Sequence, residues 1–416
     1  MNPASAFRDG KVALICDWNG PYTGIGRYWR MLHGGLRGAG LDAVQVTPTL
    51  PQLPDSAYQL LGLLGRDLRA FLTNYPLWCR YPDADIYHLA QQSLASLLLI
   101  RRPRGKVIVT VHDIFPHMLG NDPWFRLAVW GLKRADHLIA ISHYTKRCLV
   151  DHLGIRPEKI TVVYHGIDHE RFRPLVTASS IRESYRLPEG RRYLIYVGSE
   201  DTRKDLVTLV RALEQVRREL PEVELIKAGR AHCAEERQCL VALAAELGVL
   251  KAIHFLEDVR EEHLPQLYNL AELYVTPSPY EGFGFPLLEA MACGTPVVYA
   301  DAGSLPEIAG SAGIAVAPTN ADSLARGLLS VLRQRDKQSA LRAAGRERAA
   351  SFTLTASTQS ILAVYGKMMH GNSDHAGDGA DRNLDKRGRE SHDRELEQAG
   401  GGRGPVRLPC VDYGPE

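Results

Sequence analysis

Glu281 and Glu289 stand eight residues apart in 281-EGFGFPLLEAMACGTPVV-298, separated by glycines, phenylalanines and a proline. Arg203 and Lys204 lie side by side in YVGSEDTRKDLVTLVRAL (196–213), and His112 follows the apolar run KVIVTV, next to Asp113. An adjacent Arg and Lys offer a forked cation and a point charge. Cations at a helix start oppose the helix dipole, so the placement is unfavourable unless an anion sits there. The chemistry these residues suggest is the binding of an anionic ligand, with carboxylates holding its other parts.

Local rules place the pieces. ELYVTPS (272–278) reads as a strand, and PYEGFG as a loop that Gly282 and Gly284 make permissive. Pro286 suits a first helical turn, where its missing N–H is no loss. The spacing predicts a helix over 286–293, stopped by Gly294. Glu281 then sits at the carboxyl end of a strand and Glu289 two turns into the helix. The helix N-terminus between them presents free N–H groups and a positive dipole end, where open α/β sheets bind anions. Two readings stand on these rules. Both carboxylates touch one extended ligand, or Glu281 caps the loop and Glu289 is a solvated helix position.

The elements that must position these groups are short apolar runs alternating with amphipathic stretches. The runs are KVALICDW (11–18), LDAVQVTP (41–48), IYHLA (86–90), KVIVTVHD (106–113), HLIAIS (137–142) and ITVVYHG (160–166). After a polar, proline-bearing gap over 167–191 come RYLIYVG (192–198), VELIKAG (223–229), AIHFLE (252–257), ELYVTPS and TPVVYAD (295–301). Continuous runs suit parallel strands buried on both faces. DLVTLVRALEQVRREL (205–220) shows helical spacing at Leu206, Leu209, Val210 and Leu213. Strands alternating with helices mean α/β with parallel sheets. The gap is expected to link two Rossmann-like domains, 1–175 and 176–354, and the glycine-rich, charged stretch 371–416 reads as a disordered tail.

Length and composition narrow the class. A chain of 416 residues exceeds one typical core. A net charge of +2 does not point to nucleic acid. Seven scattered cysteines without a Cys-x-x-Cys pair argue for reduced thiols in a cytoplasmic protein and against a disulfide framework or zinc site. The N-terminal MNPASAFRDGKVALICDW does not read as a signal peptide, and no apolar run is long enough for a membrane span.

The Glu-x7-Glu stretch resembles the motif of retaining glycosyltransferases of family 4, which have the GT-B fold. EGFG, the proline, LEAMA, and the trailing glycine and Pro-Val fall in register. The resemblance covers roughly residues 10–370. It includes the Gly-x4-Arg-Lys-Asn segment, with Asp205 in place of the usual Asn, and 255–278, DAGSLPEIAG (301–310), GIGRY (24–28), VHDIF (111–115) and 140–168. It implies two Rossmann-like domains with parallel sheets facing each other across a cleft. It implies transfer of a sugar from a nucleotide-diphosphate donor to an acceptor hydroxyl with the anomeric configuration kept. GIGRY with Arg-Lys-Asp is similar to mannosyl- and rhamnosyl-transferring members acting on bacterial polysaccharides or lipid-linked glycans.

On that resemblance, Glu289 accepts from the ribose hydroxyls. Glu281 and the backbone of Gly282, Phe283, Gly284 and Phe285 position the donor sugar. Arg203 and Lys204 face the charge that develops on the leaving diphosphate. His112 contacts the transferred sugar, and Gly24 and Gly26 let backbone approach the diphosphate. The glycines are no dinucleotide fingerprint, because Trp29 stands where a third glycine is needed. The catalytic residues expected are His112 and Glu281, with no metal and no cofactor beyond the substrate nucleotide. His117 reads as a loop residue, and Lys146 and Arg147 as a solvated helix start. Asp83-Ala84-Asp85 spells the metal motif of the other glycosyltransferase fold but lacks its context. The apolar, arginine-bearing stretch 60–82 and RRPRGK (101–106) fit either a core helix with a solvated loop or peripheral contact with the inner face of a membrane. A helix over 355–369 is expected to cross back onto the first domain. Alternative readings are a nucleotide-sugar epimerase of the same fold and a non-catalytic nucleotide-sugar-binding protein.

Overall fold

The computed structural model describes residues 10–16, 24–41, 43–46, 81–114, 125–175, 179–231 and 233–370. Apolar runs form the strands, as parallel pairing between two covered faces demands. β1 (Val12–Ile15), β2 (Ala43–Val46), β3 (Ile86–Leu89), β4 (Lys106–Val111), β5 (His137–Ala140) and β6 (Ile160–Val162) make one sheet. Its order is β2-β1-β3-β4-β5-β6, with every neighbouring pair parallel. The second sheet contains β7 (Arg192–Val197), β8 (Val223–Ala228), β9 (Ile253–Leu256), β10 (Leu273–Thr276), β11 (Val297–Ala300) and β12 (Ile314–Val316). Its order, β12-β11-β10-β7-β8-β9, is again parallel throughout. Strand order reverses between β1 and β3 and between β7 and β10. Ligands of doubly wound sheets bind outside the carboxyl ends of strands at such reversals.

One departure from the sequence pattern matters. β12 has no counterpart among the apolar runs, since three residues carry too little periodicity to register. β4 spans KVIVTV and ends at Val111, so His112 follows the strand directly, as the sequence pattern implies. The tail expected over 371–416 and the stretch 60–82, up to residue 80, lie outside the described residues. Among the described residues, no helix is long and apolar enough to cross a membrane.

Each face of the first sheet is covered by its own cluster. Ala13, Ile15, Tyr87 and Leu89 pack on the side of the helix Phe125–Arg134. Val12, Leu14 and Ile86 face Tyr28, Leu32 and Leu36 of the helix Gly24–Gly38, together with Ile361 and Tyr365 of the helix Leu354–His370. The chain therefore returns to the first sheet after the second is built. The two passages touch, with Ile167 and Thr353 forming an isolated parallel bridge. The Ile167 N–H donates to the Phe352 carbonyl at 3.0 Å.

Buried polar contacts fasten this return. His88 Nδ1 lies 2.6 Å from the Tyr365 hydroxyl and Nε2 lies 2.7 Å from Thr110 Oγ1. Burial, aided by nearby His112, lowers the His88 pKa to about 3. Burial, with Lys367, Lys159 and Lys146 adding to it, lowers His137 to about 4. Both rings hold a proton less well folded than unfolded, where the value is about 6.5. Between those values the unfolded chain binds more protons, so stability present above about pH 6.5 is lost as the pH falls toward the folded values. The denaturation midpoint should drop on going from about pH 7.5 to about pH 4.5, and the drop should be shallower in His137→Gln. A midpoint indifferent to pH in this window would contradict the neutral burial of these rings.

Candidate functional site

The loop after β10 and the helix Phe285–Ala292 form the centre of the site. Gly284 precedes the helix with φ 93, a left-handed value that glycine adopts without strain. Pro286 falls in the first turn, and no side chain caps this end among the described residues. Early amides of the helix thus keep unused hydrogen-bonding capacity. The Glu281 carbonyl is pinned by the Ser304 amide at 3.1 Å and the Ser304 hydroxyl at 3.0 Å. Its carboxylate receives Lys204 Nζ at 2.5 Å. Lys204 follows β7 and Glu281 follows β10, so the pair spans the reversal point of the second sheet.

Arg203 and Lys204 sit in a short 3-10 turn, Thr202–Lys204, before the helix Leu206–Glu219 rather than inside its first turn. Asp205 is the N-cap, held left-handed at φ 51. Asp201 holds Arg203, taking its amide at 3.0 Å and its Nε at 2.8 Å. Both cations therefore have acidic partners within the chain. An ammonium carries three N–H donors, and Glu281 needs one.

Glu289 is 2% exposed, which rules out the solvated reading of that position. Its Oε1 is paired with Arg27 of the first-domain helix, and its Oε2 accepts from the Tyr268 hydroxyl at 2.9 Å.

The first domain closes against the same loop. A Cβ added at Gly282 would collide with the His112 carbonyl oxygen. The Gly282 carbonyl accepts from Ser142 Oγ at 2.8 Å, while Ser142 also caps the helix His143–Leu153. Glu307 accepts the amides of His143 and Tyr144 at 2.7 and 3.0 Å. Gly24 opens its helix beside Phe285, whose Cδ2 would lie 3.9 Å from a Cβ at that position, and Gly26 is buried two residues on. The His112 ring has Nε2 2.8 Å from the Ala90 carbonyl, so this nitrogen is the donor. Burial lowers the His112 pKa, against the pull of the Ala90 bond and Asp113, and the ring is neutral at pH 7. Its Nδ1 then carries the lone pair. Thus His112, Gly24, Lys204, Glu281, Gly282 and Phe285 gather at one seam. Phe283 is buried behind them, 5.3 Å from Phe285 between ring centroids.

Comparison with known proteins agrees with this architecture. Residues 22–171 match the family described as Glycosyltransferase Family 4, and residues 178–348 match Glycosyl transferases group 1. The chain belongs to glycosyltransferase family 4. A D-inositol 3-phosphate glycosyltransferase of Geodermatophilus obscurus is 32% identical over 259 residues, covering 59% of this chain and 57% of that protein. One from Mycolicibacterium smegmatis is 32% identical over 238 residues, covering 56% of this chain and 54% of its own length. The chain thus spans little more than half of such relatives. In fold it is similar to sucrose-phosphate synthase of Thermosynechococcus elongatus, with TM-score 0.70, 22% identity and 94% and 100% of the two chains covered. It is also similar to Anabaena HepE in complex with UDP-glucose, with TM-score 0.68, 21% identity and 86% and 99% covered. The two parallel-sheet domains are those of the GT-B fold.

Several residues at the seam of this family 4 chain escaped sequence reasoning. Arg27 lies inside GIGRY, where the glycines drew attention. Ser142 and Glu307 show their place only in the fold, where Glu307 takes two amides of the helix that Ser142 caps. His165 stacks on Phe285 at 4.8 Å and on His112 at 5.5 Å, and its Nε2 finds no hydrogen-bond partner among the described residues. A histidine just before a glycine after β6 was its only signal. Of the pair expected at a solvated helix start, Arg147 is exposed, whereas Lys146 is half-buried and its Nζ donates to the Ile160 carbonyl at 2.9 Å. Asp85 accepts the Lys11 amide at 2.8 Å, and His117 lies outside the described residues.

The contact at Gly282 makes a direct prediction. Gly282→Ala forces the loop away from His112, so amide exchange should quicken at 142–145 and 281–285 while the strands keep their protection. Unchanged exchange in the variant would mean the seam is looser than described.

Proposed function

We propose that the chain moves a hexose from a nucleoside-diphosphate sugar to an acceptor hydroxyl, retaining the anomeric configuration and using no metal ion. The observation that carries this reading is the Lys204–Glu281 pair, 2.5 Å apart, beside the uncapped start of the helix Phe285–Ala292. A diphosphate there receives free amides, the positive helix end and an ammonium with two N–H groups to spare. Arg203 adds a second cation behind Lys204.

In the reaction the bond from the sugar's anomeric carbon to the diphosphate oxygen breaks, and the electron pair leaves with the phosphate. The acceptor oxygen bonds to the same carbon from the same face, and its proton passes to the departing phosphate oxygen. Negative charge grows on the diphosphate, where donors that are already oriented stabilise it more than water can. Glu281, held by Lys204, orients the sugar, and Glu289 takes the ribose hydroxyls. The neutral His112 faces the transferred sugar. Contact between the two domains keeps water from the anomeric carbon and so suppresses donor hydrolysis.

The reading places transfer in the cytoplasm, on a glycan or lipid-linked acceptor. Mannose and rhamnose donors come first from the motif, and the UDP-glucose bound to HepE adds a uridine donor for testing. Relatives named for D-inositol 3-phosphate add a phosphorylated polyol to the acceptors.

Thermal-shift measurements with GDP-, UDP-, ADP- and dTDP-sugars should raise the melting temperature for one base class. With that donor, Lys204→Ala should lower kcat by about 100- to 1000-fold. Turnover should persist in excess chelator, with the product anomer matching the donor. Loss of all turnover in chelator would overturn metal independence. Interconversion of donor sugars without an acceptor would replace transfer by epimerisation.

A further inference from the structure

We propose that Arg27, a residue of the first domain, positions the donor by holding the Glu289 carboxylate in the orientation that receives the nucleotide's ribose. The proposal rests on the donor-site reading above. Glu289 accepts two bonds from opposite sides of the seam: Arg27 pairs with Oε1, and the Tyr268 hydroxyl meets Oε2 at 2.9 Å. Tyr268 is fully buried and Glu289 nearly so. The terminal torsion of a glutamate is otherwise broad, and donors on both oxygens lock it. A carboxylate offers about four lone-pair sites, so each oxygen keeps one for a hydroxyl.

Arg27 is supported in turn. Glu261 lies near it and is bonded by Arg30 at 3.3 Å and Arg171 at 3.0 Å. The Glu289 charge is the largest influence on Arg27 and raises its pKa, so the guanidinium stays charged. Without it, Glu289 would be a buried carboxylate with a single neutral partner, a costly arrangement. Arg27 belongs to the helix Gly24–Gly38, whereas Tyr268 and Glu289 belong to the second domain. The ribose subsite is therefore composite, with its acid set in place only when the domains meet.

Calorimetric affinities for UDP and GDP, measured on the full chain, test this in wild type, R27A, R27K, E289Q and the R27A/E289Q double variant, alongside melting temperatures. For the nucleotide that binds wild type, R27A should weaken binding about tenfold, and R27K should recover part of the loss. The double variant should bind within about twofold of E289Q alone, because Arg27 acts through Glu289. If R27A does not fold, R27K and R27Q carry the same comparison. Additive losses would overturn the route through Glu289. A lowered melting temperature with wild-type affinity in every Arg27 variant would make Arg27 a structural ion-pair partner and overturn the inference, while a loss in E289Q would leave the donor site standing. Wild-type affinity in E289Q would overturn both.

Discussion

The loop over 281–285 passes so close to the His112 carbonyl that a side chain at 282 has no room. That contact sets how near the two domains stand, and much of the seam follows from it. The Gly282 carbonyl turns toward Ser142, which is already occupied in capping the helix His143–Leu153. Glu307 reaches the same helix end and takes two of its amides. The helix start of the first domain is thereby satisfied from the second, while the helix start at Phe285 is left open. Anion-binding capacity is concentrated at one end of the seam and withdrawn from the other.

Charge is distributed with similar economy. Three buried or half-buried acids near the seam pair with cations: Glu281 with Lys204, Glu289 with Arg27, Glu261 with Arg30 and Arg171. Buried ion pairs gain little net stability, because desolvation offsets their attraction. Their value here is geometric. Lys204 fixes the Glu281 carboxylate beside the open helix end, and Arg27 fixes that of Glu289 farther along the same helix. A network of Glu200, Lys227 and Arg237 lies farther along the second sheet, with Lys227 Nζ 2.6 Å from Glu200 Oε1.

Most of the fold is legible in the sequence for one physical reason. Parallel strands covered on both faces must be apolar along their whole length, so KVIVTV and RYLIYVG announce themselves, and helices between them show a 3.6-residue period. β12 is too short to carry a pattern. Within the site, Glu281, Lys204, Glu289 and the glycines can be singled out because their meaning is local: a strand end, a tight turn, a helix start. Arg27 could not be, since its partner Glu289 is 262 positions away in the other domain. His165 likewise gains its place only when Phe285 and His112 close on either side of it. Such residues speak only through tertiary contact.

The central claim is that a nucleotide's diphosphate rests against the start of the helix Phe285–Ala292 with Lys204 beside it. A crystal structure of the protein soaked with its preferred nucleoside diphosphate tests this most directly. The account predicts phosphate oxygens within hydrogen-bonding distance of the amides of 282–285 and of Lys204 Nζ, with the ribose on Glu289. A nucleotide bound elsewhere, leaving 203–204 and 281–289 untouched, would contradict it.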